Sequence, residues 1–311
     1  MDLLLLLLGL VALWQGTDFA LDGALRISAR FGVSRGFVGL TVLAIGTGLP
    51  ELVVGIVGGL EQLRGIDASD VVVGNMAGSV VTQGALVLGV SGLFTHLRLA
   101  PRMVKRDGLI LLLAIGMFGL MGMDGRITRI EGAVLIVGYA IYLVALLQAE
   151  RGGEYEPAPE EKHTLPAFLT VGLGMATVVV AAHVVVTNAI SIAETWHISP
   201  TVIGIFLVGA GTSLPELALS VRAASQGESG ISVGNVIGSN TFDLLVPVGV
   251  SAGLFPLTVD PNVVMIDVPV MAIITAVTLV FLVRKRGLQR YEAISLLLMY
   301  ATYLIFRVFV V

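Results

Sequence analysis

The chain has no cysteine, only four histidines and little charge, with Asp, Glu, Lys and Arg making up 13% of its 311 residues. Without cysteine there is no disulfide, no thiolate nucleophile and no thiolate metal ligand. The four histidines fall at no spacing that would hold zinc or serve a nucleophile. No Lys/Arg run is long enough to follow a nucleic acid backbone, and the net charge of −4 is modest. Aromatic residues reach only 6%, and Trp14 and Trp196 read most simply as anchors at a membrane interface.

Apolar residues are abundant instead. They make up 56% of the chain, and mean hydropathy is +0.96. A soluble domain of this length could not bury so much apolar surface, so the composition describes an all-α polytopic membrane protein whose partner is the bilayer. Ten apolar stretches, at about 2–24, 36–62, 69–95, 104–122, 127–148, 165–193, 200–224, 229–254, 262–283 and 288–309, read as transmembrane helices. The first lacks a basic leading region and opens with Asp2, so it reads as a retained span rather than a signal peptide. One connection, 149–163, is charged, bears Pro and Gly, and is too polar to insert. It divides the chain into residues 1–148 and 164–311, five predicted spans each.

Two strings occur twice, once in each half. Gly46-Thr47-Gly48-Leu49-Pro50-Glu51-Leu52 returns as Gly211-Thr212-Ser213-Leu214-Pro215-Glu216-Leu217. Gly74-Asn75-Met76-Ala77-Gly78-Ser79 returns as Gly234-Asn235-Val236-Ile237-Gly238-Ser239. The segment from Ser34 to Glu51 aligns without gaps with that from Ser199 to Glu216, so the halves are repeats. The connections after odd-numbered spans carry fourteen Lys and Arg, against four on the other side. That bias places the odd connections and the 149–163 linker in the cytoplasm, with both termini outside. Five spans per half then give the second repeat the opposite orientation to the first, an architecture used by transporters with a midplane site.

The repeated strings carry the chemistry. Pro50 and Pro215 cannot donate to the carbonyls of Gly46 and Gly211, which frees oxygens in the middle of apolar spans. A Glu follows each Pro, and a Thr precedes it. Ionisable groups at membrane depth mark ion pathways, and an all-oxygen set suits a hard cation such as Ca²⁺. One helical turn beyond Ser79 and Ser239, on the same face, lie Gln83 and Asp243. Asp243 is a third intramembrane carboxylate, so either a cation or protons must offset the charge. One Pro-Glu alone reads equally well as a kink; two copies, each with a matched Gly-Asn-x-x-Gly-Ser string, do not. Asp18, Asp22 and His183 are placed near helix ends or water-filled vestibules. Asp260 and Asp267 are placed at the outer surface.

These strings, in two inverted copies of five helices, resemble the calcium/cation antiporter superfamily, most closely its sodium/calcium exchanger branch. The resemblance extends over the whole chain and to Asn240 and Asp243 after the second Ser. It implies exchange of several Na⁺ for one Ca²⁺ by alternating access, with spans 1 and 6 sliding against the other eight. It implies that Glu51, Glu216 and backbone oxygens of Thr47 and Thr212 bind Ca²⁺. It further implies that Ala44, Ser79, Gly209, Ser213 and Ser239 contribute to flanking Na⁺ sites, and that Asp243 takes water or a proton beside them. Gln83 is a further candidate ligand. Two positions depart from the family pattern, with Gly48 where Ser is usual and Gln83 where Asn is usual. They weaken the first-half Na⁺ site, leave H⁺ or K⁺ open as the counter-ion, and imply that Gly48→Ser raises Na⁺ affinity.

A channel would need a continuous polar pore, whereas the polar residues here cluster at one depth. An intramembrane enzyme could use the Glu pair as acid and base, but no nucleophile accompanies it. The expectation is therefore an antiporter, not an enzyme, with Ca²⁺ and Na⁺ as cargo, no cofactor and no obligate protein partner.

Overall fold

The structure is a computed structural model describing residues 2–65, 69–151, 164–195, 211–284 and 287–309. Almost all of it is helical. Helix α1 (Asp2–Phe31) is followed by α2 (Arg35–Thr47), α3 (Leu49–Leu63), α4 (Ser69–Phe94), α5 (Pro101–Gly122) and α6 (Arg129–Arg151). Beyond the linker come α7 (Thr164–Thr195), α8 (Leu214–Ser225), α9 (Ser229–Leu245), α10 (Pro247–Leu254), α11 (Val263–Arg284) and α12 (Arg290–Phe309). Among the described residues, five of these are long and apolar enough to cross a membrane, and the bent pair α2–α3 would make a sixth.

The outside is greasier than the inside. Leucine and valine side chains stand exposed along α1, α6, α7 and α11, as a surface against hydrocarbon requires. The buried interior instead holds Thr47, Glu51, Ser79, Gln83, Ser213, Glu216, Asn235, Ser239 and Asp243, each at most 1% exposed. Such an arrangement is expected where polar groups line a pathway inside a bundle.

Helix breaks follow from sequence. Between α2 and α3 the axis turns by 43° at Gly48, and Pro50 falls in the first turn of the new helix, where its missing N–H removes no hydrogen bond. Pro215 holds the matching place in α8. Glu51 and Glu216 therefore sit in the first turns of α3 and α8, where the exposed N–H groups and the helix dipole favour a carboxylate. The stretch 229–254, expected as one span, is two helices. Pro247 cannot donate to the Asp243 carbonyl, and the chain breaks at Val246. Wider π-type turns interrupt α2 at Gly39–Leu43, α4 at Thr82–Val87 and α11 at Val263–Asp267; such bulges recur at functional positions in helices.

Connections on the two sides of the linker pair with each other. A short antiparallel ladder joins β1 (Arg126–Ile127) to β2 (Leu257–Thr258), and Leu97 bridges Leu288. Helices α2 and α9 cross in near backbone contact: a Cβ on Gly238 would stand 2.5 Å from the Leu40 carbonyl oxygen. Helices α1 and α7 run along each other and share a small cluster around Leu13 and Val178. Arg222 of α8 reaches α1, donating to Asp18 at 2.5 Å and lying 4.3 Å over the Trp14 ring. Trp14, read from sequence as an interface anchor, thus also packs a guanidinium.

The α2–α9 crossing generates a prediction. Gly238→Val should force the two backbones apart and cost about 1–3 kcal/mol, as overpacking does. The check is a thermal melt in detergent, with Gly116→Ala as control, since no described atom lies within 4 Å of a Cβ there. A Gly238→Val melt unchanged from the parent would contradict the crossing.

Candidate functional site

The helix breaks bring the two repeated strings together at the centre of the bundle. Glu51 and Glu216 are fully buried and, with Asp243, lie within electrostatic reach of one another. The strings are also tied across the linker. The Thr47 hydroxyl donates to Asn235 Oδ1 at 3.4 Å, and the Thr212 hydroxyl donates to Asn75 Oδ1 at 3.2 Å. Each Thr of one half thus reaches the Asn of the other.

Three of the four residues expected on the paired helix faces, Gln83, Ser239 and Asp243, form a hydrogen-bonded strip. Ser239 donates to Gln83 Oε1 at 2.6 Å, and Gln83 Nε2 donates to Asp243 Oδ2 at 2.9 Å. Ser79 lies 3.5 Å from Glu51 Oε1. Asn75 and Asn235 extend the same faces one turn back. Sequence reasoning gave them no part in the site, although their four-residue spacing from Ser79 and Ser239 was the available signal. Asn235 also donates to Ser220 at 3.2 Å, which fixes its amide so that its oxygen faces Thr47.

Several oxygens in this cluster have no partner. Among the described residues, Glu51 Oε2, both Glu216 carboxylate oxygens, Asp243 Oδ1 and Ser213 Oγ are buried and accept or donate nothing. Buried polar atoms are paired almost without exception in proteins, so such a concentration calls for a ligand or water. Among the described residues no three acidic or histidine side chains converge as a metal cluster. A cation drawn to the two Glu would therefore complete its shell with hydroxyl and backbone oxygens, which suits Ca²⁺ or a monovalent ion better than zinc.

Not every expected oxygen is free. Leu214 donates its N–H to the Gly211 carbonyl at 3.2 Å, so Pro215 does not leave that carbonyl unpaired as the sequence alone implies. The Ala44 carbonyl accepts from the Gly48 N–H at 3.1 Å, and Gly209 lies outside the described residues. Gly48 is crowded. A Cβ there would lie 2.6 Å from Phe242 Cδ1 and 3.1 Å from Asp243 Oδ1, so a serine would enter only if the Phe242 ring moved. Any gain in Na⁺ affinity expected from Gly48→Ser would therefore require that ring to shift. Asp267, expected at the outer surface, is instead buried and held by Tyr303 and Arg307, each at 2.9 Å. Asp22 pairs with Arg26 one turn along α1.

A cavity of about 370 Å³ reaches the strings from one side, its wall formed by Leu49, Pro50, Gly211, Thr212, Pro215 and His183 among others. It places His183 beside the Thr212 string.

The family model described as sodium/calcium exchanger protein matches residues 1–148 and 166–309. The sodium/calcium exchanger MaX1 of Methanosarcina acetivorans is 30% identical over 346 residues, covering 98% of this chain and 97% of the relative. The human sodium/potassium/calcium exchanger 4 is 32% identical over 159 residues, 48% of this chain and 25% of that protein. The solved structure of the sodium-calcium exchanger NCX_Mj soaked with 2.5 mM Na⁺ and 0.1 mM Ca²⁺ superposes with a TM-score of 0.84 at 30% identity, covering 98% of this chain and 97% of the other.

The hydrogen-bonded strip can be tested directly. Gln83→Leu removes the amide that holds Asp243 and the acceptor of Ser239, and leaving buried groups unpaired costs about 1–3 kcal/mol or more for a charged one. The expected result is a lower melting temperature in cation-free detergent. An unchanged melt would mean that the strip contributes nothing to stability.

Proposed function

Because the chain belongs to the sodium/calcium exchanger family, we propose that it exchanges Na⁺ for Ca²⁺ by alternating access around Glu51 and Glu216. It is a membrane antiporter of that family and not an enzyme. The observation that carries the site assignment is the set of buried, partnerless oxygens on Glu51, Glu216 and Ser213. Charge cannot remain uncompensated in such surroundings, and an ion that enters and leaves supplies the compensation.

In this reading the Glu51 and Glu216 carboxylates hold Ca²⁺ with backbone oxygens of Thr47 and Thr212. Ala44, Ser79, Gly209, Ser213 and Ser239 serve Na⁺. Asp243 stands beside the centre with water or a proton, and Gln83 holds it in place. Ca²⁺ and Na⁺ compete for the same carboxylates. A filled pocket is neutral enough to change its access, whereas an empty one is charged and resists, which couples the two fluxes.

The chain would form ten spans in two inverted repeats, residues 1–148 and 164–311, with the linker cytoplasmic and both termini outside. The separate family matches on either side of the linker support the repeat. The reciprocal Thr–Asn bonds support it too. The Leu97–Leu288 bridge joins the connections after spans 3 and 9, and β1–β2 joins those after spans 4 and 8. Each pair falls on one side of the membrane under this topology. The cavity beside Pro50 and Pro215 would be the ion's entry from one face.

K⁺ or H⁺ coupling is the second reading. Gly48 and Gln83 motivate it, and the partial similarity to a sodium/potassium/calcium exchanger supports it.

The deciding experiment is radiolabelled Ca²⁺ uptake into proteoliposomes loaded with Na⁺, K⁺ or buffered acid and diluted into choline medium. Uptake driven by internal Na⁺ is expected; uptake driven only by K⁺ or acid would reassign the counter-ion. Glu51→Gln and Glu216→Gln should each abolish Ca²⁺ uptake, and retained uptake in both would falsify the site. Lowering the external pH should slow uptake, because protons occupy the carboxylate oxygens that Ca²⁺ needs. A rate indifferent to acid would count against carboxylate ligands.

A further inference from the structure

The gapless register that sets Ser34 against Ser199 also sets Trp14 against Val179, Asp18 against His183 and Val57 against Arg222. In inverted repeats, matched positions stand toward opposite faces of the membrane. Here the two sets are in different states. On one side the contact is made: Arg222 donates to Asp18 at 2.5 Å and lies 4.3 Å over the Trp14 ring, and Gln226 donates to Asp18 at 3.3 Å. On the other side Val179 and His183 line the cavity of about 370 Å³, together with Val53 and Val54 of α3. Val57, the match of Arg222, is exposed.

The two sides are joined through α1 and α7. These helices lie almost backbone to backbone: a Cβ at Gly16 would stand 3.0 Å from the Val178 nitrogen, and one at Gly23 would stand 2.7 Å from the Val171 nitrogen. Helices packed this closely move as one body, because interiors transmit displacement rather than absorb it. A shift of α1 against α8 therefore carries α7 against α3. Closing one side opens the other.

We propose that the Trp14–Asp18–Arg222 contact is a one-sided latch that biases the carrier toward one access state. It holds the α1–α8 side shut while the α7–α3 side stands open. In the opposite state the matched contact would join Val179, His183 and Val57, and Val57 offers no charge to hold. The repeats thus supply two similar states, and three side chains make them unequal. An ion pair stacked on an indole and set between helices is worth about 5- to 30-fold in population. Under the topology proposed above, the latched side is cytoplasmic, so the site rests open to the outside. The latch rests on the antiport reading for its role in transport, but not on which ion is carried.

The chain has no cysteine, so single cysteines can report access directly. Val53→Cys places one on the cavity wall, and Ala218→Cys, at the matched position, places one against the cluster that α1 and α7 share. Each is made in the full chain in lipid nanodiscs without Ca²⁺, and its rate of modification by a membrane-impermeant thiol reagent is measured. Adding Arg222→Val should speed labelling at position 218 about 5- to 30-fold and slow it at position 53. Asp18→Arg with Arg222→Asp restores the pair and should return both rates toward the parent values. Moving the latch, by adding His183→Asp and Val57→Arg to Arg222→Val, should raise labelling at 218 further and suppress it at 53. Labelling at 218 that ignores Arg222→Val overturns the proposal. So does a rise that the swapped pair fails to reverse, since that marks lost packing rather than a lost pair. Should the moved-latch variant fail to fold, the first two variants still decide. Ca²⁺ uptake by the parent is measured in parallel. Its absence under Na⁺, K⁺ and acid gradients alike would overturn the antiport reading, while the labelling rates still judge the latch.

Discussion

Everything in this structure answers to the cost of holding carboxylates in a medium that solvates them poorly. A charge at membrane depth is tolerated only where something offsets it, and two glutamates are placed there by matched segments. The helix breaks put each Glu in the first turn of a new helix, with free N–H groups close by. The glycine-lined crossing brings the segments together, and the Thr–Asn bonds hold them in register. What remains unmet is a set of oxygens with no protein partner. In the proposed reading a mobile cation completes the structure, and its exchange for another is the function.

The same constraint explains why the stabilising polar contacts stop short of full satisfaction. Gln83 takes up one oxygen of Asp243, and Ser79 approaches one oxygen of Glu51. If Glu216 and Ser213 were equally well paired within the protein, an arriving ion would have to displace those hydrogen bonds. A transport site must bind its cargo loosely enough to release it, so some partnerless oxygens are a requirement of turnover rather than a flaw in the packing.

Much of this was legible in the sequence because duplication is visible without coordinates. The Pro-Glu strings, the Gly-Asn-x-x-Gly-Ser strings and the four-residue step to Gln83 and Asp243 identified the residues that the fold gathers. What escaped were contacts that depend on one particular approach of two helices. Asn75 and Asn235 were given no place in the site, because nothing in their own segments shows that a threonine from the other half would reach them. The break at Pro247 was missed because the stretch 229–254 is apolar throughout and read as one span. The crowding at Gly48 was hidden because Phe242 lies nearly two hundred residues away and belongs to no motif. Asp267 looked like a surface acid until its partners, Tyr303 and Arg307, arrived from α12.

The contact of α2 with α9 has one further consequence. Where two backbones touch without intervening side chains, the separation between the segments that carry the site cannot shrink by even a few tenths of an ångström. In the proposed reading, the oxygens that α2 and α9 give to an ion, those of Thr47 and Ser239, would inherit that floor on their separation. Magnesium needs short, nearly octahedral bonds and surrenders its water reluctantly, whereas calcium accepts longer and less regular ones. On the same reading, a frame that will not contract would turn ionic radius into a criterion for admission, and would do so through glycines rather than through ligands.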